Sequence, residues 1–504
     1  MRTSSPWLTR RQALQGLGAS AALLAAPGLA ASGQLVAALH GLPDSLRMGG
    51  SSFADENIAY QVMDPLILRN DRGDLIPGLA MSWASSAQDS WQFKLRPGVT
   101  FHDGSRFTAT DVKATLDFVM APASLYGLRS RVSQIDHVEI VDELTVLIHT
   151  KGPFPTLVAG LTDIAIESAS YVARVGRDGM LRHPVGTGPF QFQSWVPGDT
   201  YTLTAFDAHW GGRPKIRSLL LRNVPEATTR VAALLSGEAH IAEEIPIDLL
   251  PELQASRTAE VASIESTVGL LLTFDTRKPP FNDSRVRLAL NLAVDRQKLL
   301  DQLLGGQGSI LQGQMLTSNT FGFDPSLKAH PFDPARARQL LAEAGYPKGF
   351  ATSLTTRSGK YLSDVDIANV CAAMFAEVGV QTEVRIVEEG VFSKMVRAHD
   401  MGPMHMVGWY SLGDADFASV WFTEASGRAF WKDDEYERLF VAARSTVDTA
   451  ARAAAYHRMM RIMADQSPCV FLFGLPSIYG RARALSGWGP PADKVLRLTQ
   501  AAIT

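Results

Sequence analysis

A regular alternation of helical and strand periodicity, punctuated by proline and glycine, narrows the fold of this chain more than any other feature. Asp333-Pro334 reads as a helix cap followed by proline at the first helical position, where its missing N–H costs nothing, and Gly345 ends that helix. A second helical stretch, 364–378, stops at Gly379, and 381–387 follows directly with strand character. The first half carries the same punctuation. Trp91, Phe93 and Leu95 alternate with Gln92 and Lys94, and Pro97-Gly98 closes that strand. Thr108, with Asp111 three residues on, opens a helix whose apolar face is Val112, Leu116 and Val119. Further strands are expected over 143–150, 201–205 and 218–224, and a helix over 227–236 closed by Gly237. Helices alternating with strands over this length imply an α/β chain with mixed α+β sheets.

At 504 residues the chain is longer than one hydrophobic core serves, so two or three domains are expected. The formal charge is −3 and no basic block could follow a phosphate backbone, so no nucleic-acid partner is expected. The beginning of the chain differs from the rest. Arg2, Arg10 and Arg11 give it a positive start, and no acidic residue precedes Asp44. An Ala/Leu/Gly stretch from Ala13 ends in the small residues Gly28-Leu29-Ala30-Ala31. That order is the order of an export signal, placed over residues 1–31. Thr9-Arg10-Arg11-Gln12-Ala13-Leu14 resembles a twin-arginine signal, with Ala13 where phenylalanine is usual; a general secretory signal is the alternative. No cysteine lies near the cleavage site, so a soluble, unanchored protein of the periplasm is expected. Cys371 and Cys469 sit in apolar surroundings and read as buried free thiols, with a disulfide as the other option.

Motifs for chemistry are few. The sequence holds no G-x-S-x-G elbow, no H-E-x-x-H, no phosphate loop and no dinucleotide fingerprint. Gly305-Gly306-Gln307-Gly308 lacks the Lys and Ser/Thr that a phosphate loop needs, and reads as a turn after a helix. His399, Met401, Met404, His405 and Met406 offer soft and imidazole ligands within one short segment. Alternate residues of a strand face opposite ways, so these side chains are not expected to converge on a metal. No cofactor is expected.

Three stretches together resemble the extracellular solute-binding proteins of family 5, the peptide-, nickel- and opine-type binding proteins of ABC importers. The first runs from Asp64 to Phe118 and contains GDLIPGLAMSW and FKLRPGVTFHDGSRFTATDV; the second is PVGTGPFQFQSWVPGD from Pro184; the third is FDTRKPPFNDSRVRLALNLAVDRQKLL from Phe274. The resemblance implies a two-lobed clamshell with an additional inserted domain. Residues 32–65, 184–268 and 469–504 would form the first lobe, 66–183 the inserted domain, and 269–468 the other lobe. Gly186-Thr187-Gly188-Pro189 and Pro279-Pro280 are read as scaffold. It also implies a small-molecule cargo held between lobes, a membrane permease with cytoplasmic ATPases as partner, and a monomer that is not an enzyme. A secreted hydrolase with dispersed acidic residues, or a metal-chelate binder on the same scaffold, remains the alternative.

The resemblance further points to cargo-contacting residues. Trp409 offers a flat apolar wall and one donor, and Tyr410, Ser411 and Asp414 follow it. Peptide-binding relatives commonly carry an aspartate three residues after this tryptophan, for a peptide's free amine. Here Leu412, or Ser411 with a shorter loop, stands in that place, and neither balances a buried ammonium. Asp414 or Asp416 could substitute, or the two could hold the loop as an acidic pair. Arg357 and Lys360, read as a loop, could meet a carboxylate. Ser51 and Phe53 could line the edge of the first lobe.

Overall fold

The computed structural model describes residues 33–43, 53–121 and 128–504. The expected export signal and Ser51 lie outside the described residues, and Phe53 opens the helix Phe53–Val62.

Among the described residues, eleven strands form one continuous sheet. At one end Gln34–Leu39 runs parallel to Ser218–Asn223 and Ile241–Ala242, with Thr200–Ala205 and Phe190–Val196 added antiparallel. At the other end Phe350–Arg357 runs parallel to both Val380–Val387 and Met404–Tyr410. Two long antiparallel strands, Ala259–Phe274 and Cys469–Ala482, join these parallel cores. Their register breaks between Glu265 and Gly269, midway along the pair. The chain crosses there from one parallel core to the other. Boundaries drawn at 268/269 and 468/469 therefore fall within one strand and at the start of its partner.

A separate four-stranded antiparallel sheet, ordered Ala80–Ala87, Ser90–Leu95, Thr145–Thr150, Ile135–Asp142, lies within 66–183. The helix Ala109–Met120 covers it with Val112, Leu116 and Val119 buried. Its first turn is fixed as expected: Thr108 and Asp111 form a reciprocal capping box, satisfying N–H groups that the helix cannot pair itself. Asp333 likewise caps Pro334–Glu343.

The family signatures are hydrogen-bonding devices. Asp64 accepts from Thr187 Oγ1 at 3.0 Å and from Trp210 Nε1 at 2.7 Å. Gly188 donates to the carbonyl of Val62, and a Cβ at Gly188 would come within 2.5 Å of that residue's backbone. Only glycine permits the approach. In the third stretch, Arg287 and Arg296 are buried and aim their guanidinium groups at main-chain carbonyls, including those of Gln466 and Phe471. They tie the helices Ser284–Leu292 and Arg296–Leu303 to the start of the long strand. Cys371 and Cys469 are buried free thiols in separate apolar clusters. No helix among the described residues is long and apolar enough to cross a membrane.

Candidate functional site

The site starts with the strand Met404–Tyr410. Its two-residue period sends Met404 and Met406 into the apolar core and turns His405, Val407 and Trp409 to the opposite face. That alternation separates Met404 and Met406 from His405 in the segment considered for metal, while Met401 lines the cleft with His405. Among the described residues no group of three His, Cys, Asp or Glu side chains could hold an ion. The antiparallel neighbour sets Thr273 directly across from His405.

The outward face lines a cleft of about 1010 Å³. Arg357, Tyr361, Phe392, Trp409 and Trp421 form one wall, and Arg131, Phe154 and their neighbours the other. The second wall comes from 131–156, within the stretch expected as an inserted domain. The carboxyl ends of Phe350–Arg357 and Met404–Tyr410 open on this space, where open parallel sheets characteristically receive ligands.

Arg357 was expected in a loop. It is the last strand residue, because parallel pairing continues to Arg357 opposite Val387. Its side chain is only 8% exposed, pairs with Glu389 at 3.1 Å, donates to Tyr361 Oη at 2.9 Å and lies 3.9 Å over the Phe392 ring. Gly408 lets Tyr361 lie close, since a Cβ there would meet the ring at 2.7 Å. Burial pushes the His405 pKa down to about 3, against the pull of Asp275 and with the help of Arg357, so the imidazole is neutral at ordinary pH.

Thr273 Oγ1, Arg357 Nε, His405 Nδ1 and Trp409 Nε1 are buried polar atoms with no hydrogen-bond partner, and all four residues line this cleft. A buried polar group left unpaired costs about 1–3 kcal/mol. The wall thus holds unspent hydrogen-bonding capacity. Charge is equally one-sided. Six lining residues are Arg or Lys and two are acidic. Both acids are already paired, Glu389 with Arg357 and Asp416 with Arg444 at 2.8 Å.

The structure brings Trp409, Tyr410, Arg357 and Lys360 to one cleft. Trp409 stacks on Trp421, with centroids 4.7 Å apart and planes 9° from parallel, and Arg428 lies 5.0 Å over Trp421. Lys360 is exposed and, with Tyr361 and Tyr410, also borders a neighbouring cleft of about 290 Å³. Ser411 and Asp414 sit elsewhere. Ser411 is buried, its hydroxyl 2.6 Å from Thr320 Oγ1. Asp414 caps Ala415–Ser419, pairs with Arg452 at 3.0 Å and borders a different groove, of about 940 Å³. Leu412, in a left-handed conformation with φ 51°, lines the main cleft where an acid was sought. Sequence reasoning missed Trp421, Thr273 and the cleft position of His405; no motif marks them, and only strand register and chain reversal bring them to Trp409.

Residues 74–429 match the bacterial extracellular solute-binding proteins, family 5 Middle. The chain belongs to that family. It is a solute-binding protein, and relatives resemble it along nearly their whole length. The glutathione-binding protein GsiB of Pectobacterium atrosepticum is 30% identical over 514 residues, covering 98% of this chain and 99% of the relative. Among solved structures, HbpA2 from Haemophilus parasuis aligns with a TM-score of 0.85 at 24% identity, over 94% of this chain and 100% of its own, a likeness of fold. The family 5 fold is also shared by MoaA of A. tumefaciens R10 in complex with mannopinic acid, with a TM-score of 0.71 at 26% identity, over 94% and 99% of the two chains.

Proposed function

We propose that this protein captures a small, carboxylate-bearing solute beneath Trp409 and delivers it to the permease of an ABC importer. The cargo is peptide-like, opine-like or sugar-derived, in keeping with a relative named for glutathione and a similar structure in complex with mannopinic acid. The observation that carries this reading is the chemistry of the 1010 Å³ cleft: aromatic walls, an excess of cations, and acids already spent on arginines. An anion entering it meets Arg357 and the unpaired donors; a simple cation meets no free carboxylate among the described lining residues.

The lobes proposed are 32–65 with 184–268 and 469–504, and 269–468, closing about the register break in the long strand pair. Closure excludes water and strengthens each polar contact, so cargo shifts the open–closed balance. Residues 66–183 supply an additional wall. Export to the periplasm by a twin-arginine signal, a monomeric state and binding without turnover complete the proposal. Binding without turnover is in keeping with relatives named as binding proteins.

A thermal-shift panel of peptides, opines, sugar acids, neutral sugars and metal chelates tests it. Carboxylate-bearing solutes should raise the melting point, by the equivalent of about 2.7 kcal/mol at a hundredfold excess over Kd. Tryptophan fluorescence should change with the solute recovered intact. Chemical conversion of the solute, or a response to neutral sugars alone, sinks the reading.

A further inference from the structure

The smaller cleft, about 290 Å³, adjoins the main one through Lys360, Tyr361 and Tyr410, which line both. Its other wall carries Glu244 and Lys494, joined by an ion pair of 3.2 Å. Among the described residues, three of the six non-glycine residues with positive φ line this small space: Glu244 at 48°, Lys494 at 65° and Ser363 at 54°. Such conformations persist only where the surroundings over-determine them, and they cluster at ligand clamps.

The surroundings here do over-determine them. The buried guanidinium of Arg230 bonds the carbonyls of Glu243 at 2.7 Å and Glu244 at 2.9 Å. The next amide, that of Ile245, bonds the long strand at Ile478. On the other segment, Asp493 is gripped by Arg497, fixing the chain beside Lys494. Both backbones are thus held while the two charged side chains meet each other. Across the cleft, the amides of Gly359, Lys360 and Tyr361 are already taken by the Asp364 carboxylate, at 2.8 to 3.2 Å. That loop therefore offers no nest for an incoming anion.

We propose that Glu244 and Lys494 form a head-group site for an α-amino acid, whose ammonium and carboxylate on one carbon exchange with the pair. The ammonium goes to Glu244, the carboxylate to Lys494, and a second carboxylate of the same solute reaches Arg357 in the main cleft. The pair is half-exposed at Glu244, so giving it up costs little, and the incoming head restores both contacts. This site would supply the ammonium partner that Leu412 cannot. It deepens the proposed function and rests on the main cleft being the cargo site.

The test uses a matched pair of probes, γ-glutamylglycine and glutarylglycine, which carry the same two carboxylates and differ in the α-ammonium. Both are titrated calorimetrically into wild type, Glu244→Gln and Lys494→Met. Wild type should prefer γ-glutamylglycine by about 10- to 100-fold, the usual weight of a charge-assisted hydrogen bond. Glu244→Gln should erase that preference, and Lys494→Met should weaken both probes. The melting points of the free variants should stay near wild type, so that a change in affinity reports on the site and not on the fold. Equal binding of the two probes to wild type, or a preference that survives Glu244→Gln, overturns the inference. So does binding of neither probe while other carboxylates of the solute panel bind. Silence across the whole panel overturns the proposed function itself, and this inference with it.

Discussion

Two sets of buried arginines do opposite things in this molecule. Arg287 and Arg296 spend their donors on carbonyls: Arg296 reaches Phe471, Asn291, Val294 and His330, and Arg287 reaches Phe281, Gln466 and Ser467. Burial lowers both pKa values to about 10, leaving them charged. Arg357 is about as buried, yet its Nε has no partner and its guanidinium borders a large cleft. The difference teaches that burial alone does not mark a functional arginine. The cargo role proposed for Arg357 rests on that unspent donor together with its place at the main cleft.

Breaking the structural set should have the largest effect. Arg296→Met strands several buried carbonyls and should cost about 3–5 kcal/mol. Chemical denaturation would show it, with cargo affinity unchanged in whatever fraction folds. Replacing Arg357 should invert that pattern. Arg357→Gln should leave stability within about 1 kcal/mol, because Glu389 is exposed enough to be solvated, while carboxylate cargo loses about 2–3 kcal/mol of binding. A calorimetric Kd raised about 30- to 150-fold, with an unmoved melting point, is the expected result.

Arg296 and Arg357 each have a neutral histidine nearby, which sharpens the contrast. Burial and then Arg296 hold His330 at about 4, and burial chiefly holds His405 at about 3. Both folded values lie below the ordinary 6.5, so the unfolded chain takes up protons that the native state refuses. Stability is complete above pH 6.5 and falls as pH drops, by about 1.4 kcal/mol per unit per histidine, down to each folded pKa. His405→Asn should remove one such share from the pH–stability curve. A carboxylate bound beside Arg357 should shrink the His405 share, by favouring its protonated form, and leave that of His330 alone. Trp421→Ala should have the smallest effect, about 1 kcal/mol of cargo affinity, from loss of the ring that backs Trp409. A titration showing no change would place cargo away from the stacked pair.

The sequence was most legible where partners are close along the chain. The Thr108/Asp111 cap and the Asp333-Pro334 start each need only a few neighbouring residues. Asp414 was ambiguous for the converse reason: its partner Arg452 lies on another helix, so cargo contact and loop support looked alike. Arg357 was flagged by its place in the family pattern. Its strand position depended on pairing with a strand beyond the intervening helix.

By itself the sequence determined the family, the helix starts and stops, and the alternation that separates His405 from Met404 and Met406, because those are properties of short spans and of backbone geometry. Tertiary structure alone decided which charges are spent. Whether Arg357, Glu389, Asp416 or Glu244 faces a partner or a void depends on strand register and on the crossing near Gly269, and charge pairing acts over ångströms in space whatever the distance along the chain.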